Sequence, residues 1–376
     1  MNQSAGGVMR GVGRIAIFAM GVCFAQQASA QRLKFNPALS VPSGTVAGRE
    51  AALSRLPFRV PKGFTVRRFA QNISHPGMMA AEGGSVYICR PNRGEITELR
   101  TRSGVVEAAC AASGLNRPQG ICLHNSRLYV CADREILAAN CVPGSPLAPF
   151  EPVLRGLPSA VSDDPDHALA FGPDNFLYFS LSVTADAPGT IQRVRPDGSG
   201  LEKFATGLQN TTSFGWNPDN GAMWGIDSSV SAAPKRPEEL NRIQAGKDYG
   251  AFARESSHEN VAFASRFEAP QLLCPAYSGA TALAFYTQRA FPADYWNDAF
   301  VTMRGDAGKG VAGKVSRIRF RYGKPVGFED FLTGSPTRKG GAAFCPTGIA
   351  VTPDGALLVA DDASGSIYRI TWNAAP

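Results

Sequence analysis

Residues 162–180 read SDDPDHALAFGPDNFLYFS and place three aspartates and one of the chain's four histidines directly ahead of two apolar runs around a GPDN turn. A carboxylate beside an imidazole is a pairing that can take up and return protons near neutral pH. The same residues also suit a solvated loop leading into a strand. The front of this stretch is therefore a catalytic pair, the remains of one, or a polar turn.

Other chemistry is narrowed by what the motifs lack. There is no H-E-x-x-H, no G-x-S-x-G, no C-x-x-C and hence no C-x-x-C-H, which argues against a zincin, an α/β-hydrolase, a zinc ribbon and an attached c-type haem. GKGVAGKV, residues 308–315, nearly matches a phosphate loop, but Val315 stands where Ser or Thr would bind magnesium. A glycine-rich turn between strands is the simpler reading. The net charge of +7 comes without a basic run, so nucleic acid is not an expected partner. A mild positive excess suits a small anionic ligand.

The N-terminus reads as an export signal. Arg10 and Arg14 precede the apolar IAIFAMGVCFA at 15–25, and ASA at 28–30 supplies small residues for cleavage. That core is shorter than the roughly 20 residues a spanning helix needs, so no stable membrane insertion is expected. The expectation is a cleaved signal peptide over 1–30 and a periplasmic or secreted protein. Cys89, Cys110, Cys122, Cys131, Cys141, Cys274 and Cys345 lie beyond it. Export makes disulfides possible, and an odd number leaves at least one thiol unpaired within the chain.

One phrase recurs along the chain: an apolar run, a turn, then a second apolar run with an aromatic. It appears at 76–90, 118–133, 167–182, 213–227, 281–304 and 346–362. Most copies are followed by a further strand, such as GTIQRV, GKVSRIRF or GSIYRITW. Six copies at this spacing, each with about four strands, predict an all-β six-bladed propeller of four-stranded blades over 57–376, preceded by an N-terminal arm at 31–56. The lone strand FTVRRFA, residues 64–70, is expected to pair beside SIYRITW and close the ring, removing an exposed edge. The insertions at 228–238 and 252–278 are expected on the rim. Loops leading into the innermost strands would gather around the central channel, where a site is expected.

The segment PEELNRIQAGKDYGAF (237–252) resembles the D-E-L-N…G-x-x-Y-G-W stretch of quinoprotein sugar dehydrogenases. ALAFYTQRAFPADYWNDAFVTMRG, GKPVGFEDFLTG and PTGIAVTPDGALLVADDASGSIYRITW resemble the sorbosone dehydrogenase branch of that group, and the likeness runs from about Pro57 to Trp372. It implies a six-bladed propeller, related to soluble glucose dehydrogenase, that holds pyrroloquinoline quinone (PQQ) and Ca2+ over the channel. The implied reaction oxidises the carbonyl or hemiacetal carbon of a sugar or sugar aldehyde. Electrons would leave to an external acceptor, a quinone or cytochrome. A tricarboxylate cofactor calls for Arg and Lys, calcium calls for oxygen ligands, and hydride loss calls for a base.

Carried over position by position, the resemblance assigns the following roles. The base position is Asp164, after Asp163, and the basic residue that follows is His167. Either residue can therefore be the base, or His167 can contact the cofactor, or the aspartates form a solvated turn with His167 packed behind them. An aspartate base would need desolvation to raise it from about 3.9. The Arg-Asn pair becomes Gln209-Asn210. The pair before the calcium loop becomes Asp227 and Ser228, with Ser229 and Val230 as carbonyl donors to the metal. Glu238 and Glu239 are calcium-site neighbours or a rim turn. Arg304 follows the fifth copy, and Cys345 replaces an Arg before the last one. Lys309 and Lys314 are further cations that can contact the cofactor. Tyr249 and Trp216 read as core.

Two other readings stay open: a propeller that kept the ring and lost its cofactor, motivated by Asp164, Gln209 and Cys345, and a metal-dependent lactonase on the same ring.

Overall fold

The computed structural model describes residues 58–142, 145–158, 167–184, 187–228, 237–250, 266–334 and 344–373. Residues 1–57, with the expected signal and the whole of the expected arm at 31–56, lie outside the described residues, as do Asp163, Asp164, Asp166, Ser229, Val230 and residues 252–265 of the 252–278 insertion. Six antiparallel sheets account for the described strands. Their innermost strands are Met79–Glu82, Pro118–His124, Leu169–Phe171, Asn210–Trp216, Ala280–Phe285 and Pro346–Val351, one from each copy of the repeat. Each touches the innermost strand of the next blade, and the sixth touches the first. The sheets thus form a closed six-bladed ring, numbered here blades 1 to 6 in that order.

Period-two alternation explains why the ring holds. Both faces of every blade are buried, and successive residues of a strand serve opposite neighbours. In blade 1, Val86 and Ile88 join an apolar cluster with Leu358 and Ala360 of blade 6, while Tyr87 and Cys89 join one with Leu128 and Val130 of blade 2. The next residues of blade 2, Tyr129 and Cys131, pack with Leu177 and Phe179 of blade 3. Further clusters fill the seams between blades 3 and 4, 4 and 5, and 5 and 6. Six seams between six blades leave no open side.

Closure follows the sequence expectation. Phe64–Ala70 is the outermost strand of blade 6 and pairs antiparallel with Ser366–Trp372, with Phe64 opposite Trp372 and Val66 opposite Ile370. Blade 5 departs from the four-strand pattern. Phe58–Arg59 adds a fifth strand outside Lys324–Gly334, pairing Phe58 with Gly334. The segment before residue 64 thereby covers the blade 5 edge before the chain enters blade 6. The segment at 308–315 is the turn joining the second and third strands of blade 5, with Gly310 at φ +70°.

Antiparallel order puts two kinds of loop on one end of the ring: those leading into the inner strands and those joining second to third strands. That end is the mouth. Several of its loops are fastened by one device, in which a side chain near the end of the second strand accepts the backbone N–H of the chain entering the first. Ser180 Oγ takes Ala168 N at 2.7 Å, Thr302 Oγ1 takes Ala282 N at 3.0 Å and Asp361 Oδ1 takes Cys345 N at 2.8 Å. Asp227 takes Gln209 N through both carboxylate oxygens, at 3.2 and 3.0 Å. Buried N–H groups that lack a ladder partner are satisfied in this way.

Candidate active site at the channel mouth

His167 sits where the chain enters blade 3 and is only 4% exposed. Its Nδ1 lies 2.9 Å from the Ser180 carbonyl oxygen, so Nδ1 carries the hydrogen and donates. Burial lowers its pKa below the usual imidazole range; contacts with the Ser180 and Asp133 backbones and the Asp133 carboxylate oppose the shift, and Arg117 adds to it. The ring is therefore a neutral strut between blades 2 and 3. Its proton linkage has a definite sign. The unfolded chain binds the proton first as pH falls through about 6.5, so folding stability declines from there down to the lower folded value. Urea unfolding between pH 7 and 5 should show that slope in the wild type. A His167→Asn variant, which keeps a donor toward Ser180, should flatten it; an unchanged slope would assign the linkage elsewhere.

At blade 4, Asn210 is buried and its Oδ1 accepts from Ser182 Oγ at 2.7 Å. Gln209 is half-buried; its carbonyl accepts Val183 N at 2.7 Å. Across the sheet, Asp227 opposes Glu239 in strict register. Asp227 also accepts from Thr211 Oγ1 at 3.2 Å, and burial, with Glu239 adding to it, pushes its carboxyl up to about 7. Asn241, two residues after Glu239 and on the same face, is 1% exposed and its Oδ1 has no partner. Its Nδ2 reaches Glu239 Oε2 at 3.5 Å. Two carboxylates and an unsatisfied amide oxygen are thus gathered on one face of one blade.

Glu238 is differently employed. Its carboxylate accepts Ala280 N at 3.1 and 3.0 Å and also the Ser278 hydroxyl, tying the loop that enters blade 5. Ser228 Oγ donates to the Ala280 carbonyl at 3.1 Å and approaches Glu238 Oε1 at 3.5 Å. Arg304 is half-buried in the same corner, its backbone N–H donating to Gly279 O at 2.9 Å. Lys309 is exposed, with its ammonium 5.6 Å from the centre of the Tyr277 ring. Lys314 is committed elsewhere: its Nζ lies 2.6 Å from Asp330 on the neighbouring outer strand. Cys345 is half-buried at the start of blade 6, held by Asp361 and accepting Asp362 N at 3.0 Å through its carbonyl. All seven cysteines of the described residues carry free thiols. Tyr249 and Trp216 lie in or against the apolar seam between blades 3 and 4, in keeping with a core role.

The structure therefore brings Gln209, Asn210, Ser228, Glu238, Glu239, Arg304 and Cys345 to the mouth loops of blades 4 to 6, places His167 behind the mouth at blade 3, and turns Lys314 toward the outer strand. Asn241 is the asparagine that matches the D-E-L-N stretch of the resemblance, and one further group at the mouth carries no sequence signal. His75, in the loop entering blade 1, has its Nδ1 3.0 Å from Asp362 Oδ1 of blade 6. Those two residues are 287 positions apart, and only ring closure brings them together. Among the described residues, no group of three or more His, Cys, Asp or Glu side chains is placed to hold a metal ion, and no helix is long and apolar enough to cross a membrane.

Solved structures of the same architecture follow the chain almost end to end. A Trichoderma reesei enzyme of carbohydrate-active family AA12, in a calcium structure, superposes with a TM-score of 0.71 at 15% identity over 86% of this chain and 99% of that one. The holo PQQ domain of pyranose dehydrogenase from Coprinopsis cinerea gives 0.66 at 14% identity, covering 85% and 98%. The PQQ-bound aldose sugar dehydrogenase of Streptomyces coelicolor gives 0.61 at 18% identity, covering 83% and 99%. At these identities the likeness is one of fold. No protein-family model and no curated sequence matches the chain.

Proposed function

We propose that this chain is an exported quinoprotein oxidoreductase that oxidises the carbonyl or hemiacetal carbon of a sugar or sugar aldehyde with PQQ and Ca2+, passing electrons to an external acceptor. The observation that carries the reading is the chemical make-up of the mouth. Arg304, Lys309 and Arg117 stand at or beside loops entering blades 5 and 2, which suits a small polycarboxylate. Asp227, Glu239 and the unsatisfied Asn241 Oδ1 form an all-oxygen donor set, which suits a hard cation such as calcium. The likeness to PQQ-bound propellers and the sequence resemblance point the same way.

In this reading Asp227, Glu239 and Asn241 would hold the ion, with Ser229 and Val230 as further carbonyl donors outside the described residues. Arg304, Lys309 and Arg117 would hold the cofactor carboxylates. Asn210 is fixed through Ser182 at the start of the inner strand of blade 4. The quinone, when bound, supplies a two-electron acceptor for the hydride lost from the sugar carbon. The chain must still supply a base for the substrate hydroxyl, and His167, only 4% exposed, is buried away from solvent.

The test is a titration of the purified chain with PQQ and Ca2+, followed by dye reduction with aldoses and sorbosone. Turnover with a PQQ spectral change is expected, and Arg304→Ala should weaken PQQ binding by about 10- to 100-fold. Absence of both signals at saturating cofactor overturns the proposal. A second reading, a propeller that lost its cofactor, is favoured by Gln209 and Cys345 standing where the resemblance calls for arginines. Micromolar or tighter PQQ binding would reject it.

A further inference from the structure

Three of the four histidines lie in the described residues. His124 is at the end of the ring opposite the mouth, its ring stacked on Phe171 at 3.8 Å and its Nε2 2.6 Å from Asn175 Oδ1. His167 is buried and bound to a carbonyl. His75 differs on each count. Its side chain is 57% exposed, it stands at the mouth over the seam between blades 6 and 1, and its Nδ1 meets the Asp362 carboxylate at 3.0 Å.

A carboxylate only accepts, so Nδ1 carries the hydrogen, and in the neutral ring Nε2 keeps the lone pair. Nε2 has no partner among the described residues. Both members of the pair are fixed from behind. Ile73 N donates to Gly365 O at 2.9 Å, Arg90 Nε to Ser74 O at 3.0 Å and Thr347 Oγ1 to Pro76 O at 2.6 Å. Asp362 N donates to Cys345 O at 3.0 Å. His75 itself is held at φ +51°, a left-handed backbone that a β-carbon disfavours and that a fixed loop must impose. An imidazole with one nitrogen locked to a carboxylate and the other open to solvent is the arrangement of an oriented general base.

We infer that His75 Nε2 is the base of the oxidation, with Asp362 as its positioning residue; this rests on the function proposed above. The substrate O–H proton would move to Nε2, the O–H electron pair would become the new C=O bond, and the C–H hydride would leave with its two electrons to the two-electron acceptor that bound PQQ supplies. The resulting imidazolium is balanced by Asp362 and then loses its proton to water. The other charged groups packed against this loop are Arg90, paired with Glu95 at 3.0 Å, and the buried Asp361.

The test uses the full chain loaded with PQQ and Ca2+, comparing wild type, His75→Gln, Asp362→Asn and Asp164→Asn. His75→Gln should lower kcat/KM about 100- to 10,000-fold while PQQ affinity stays within threefold. Asp362→Asn should lower it about tenfold, because the imidazolium loses its counter-charge. In the cofactor-free protein, 15N NMR should show the Nδ1–H tautomer at His75, and Asp362→Asn should abolish that preference. A His75→Gln enzyme that keeps more than a third of wild-type turnover, an Nε2–H tautomer at His75, or a large loss confined to Asp164→Asn would each overturn the assignment. An inactive wild type sinks the proposed function and this base with it; an active wild type indifferent to His75→Gln sinks the base alone.

Discussion

Replacing Phe64 with alanine should cost about 3–5 kcal/mol of folding stability. Phe64 is 6% exposed and belongs to the strand that shuts the ring. Its ring meets Phe291, Tyr295, Phe331 and Trp372 edge-on, with centroids 4.8 to 5.0 Å away. Such pairs add about 0.5–1.5 kcal/mol each beyond simple burial. The side chain thus joins blade 6 to blade 5 as well as strand to strand. The turn ahead of it is equally tight: Gly63 has φ +93°, and a β-carbon there would fall 2.2 Å from the Trp372 ring. Urea unfolding of wild type, Phe64→Ala and Phe64→Leu measures the effect, with Leu expected to recover more than half. A change below 1 kcal/mol for Phe64→Ala would mean that closure rests on the backbone ladder alone.

Asp298→Ala should be comparably damaging, by about 3–5 kcal/mol, for an electrostatic reason. Asp298 is fully buried beneath blade 5 and accepts Arg317 Nε and Phe320 N, each at 2.6 Å. Arg317 is itself buried, its guanidinium 3.9 Å from the centre of the Tyr295 ring, with the exposed Asp294 as a second partner. Burial pushes the Asp298 carboxyl up, while the Phe320 N–H and Arg317 hold it down. Removing the carboxylate takes away the one buried counter-charge of Arg317, leaving it only the exposed Asp294 and Glu329, and unpairs the Phe320 N–H at once. A double variant, Asp298→Ala with Arg317→Met, should regain most of the loss, because a buried pair is often replaceable by apolar groups although neither half is. If the double variant is no better than the single one, the damage comes from the Phe320 N–H and not from the stranded charge.

The ring was legible because its signal is repetitive. Turns of the GPDN, NPDN and TPDG kind in three copies, with EGGS and HNSR in two more, each between apolar runs, announce the inner hairpins, and FTVRRFA is an orphan strand with one free edge to join. What stayed hidden depends on tertiary register. Phe58–Arg59 is too short to show periodicity and is a strand only because Lys324–Gly334 offers it an edge. Leu272–Leu273, the outer strand of blade 4, follows a long excursion and is equally brief. Lys314 drew attention as a cation near a glycine-rich turn, yet strand alternation aims it at Asp330. His167 and Ser180 share a hairpin, so their contact follows once the register is known. His75 and Asp362 belong to opposite ends of the chain, and HP followed by glycine reads as a plain turn.

Closure by Phe64–Ala70 also dictates an order of events during synthesis. Phe64–Ala70, preceded among the described strands only by Phe58–Arg59, finds its partner only when Ser366–Trp372 has emerged, and Thr65 and Thr371, bonded at 3.0 Å, are 306 positions apart. Until then blade 6 lacks its outermost strand, and the nascent chain carries a bare β-edge through almost its whole translation. Such long-range pairing is slow and prone to misassociation. The seven thiols of the described residues form no disulfide that could tether the waiting strand, so it stays unpaired until the last hairpin arrives.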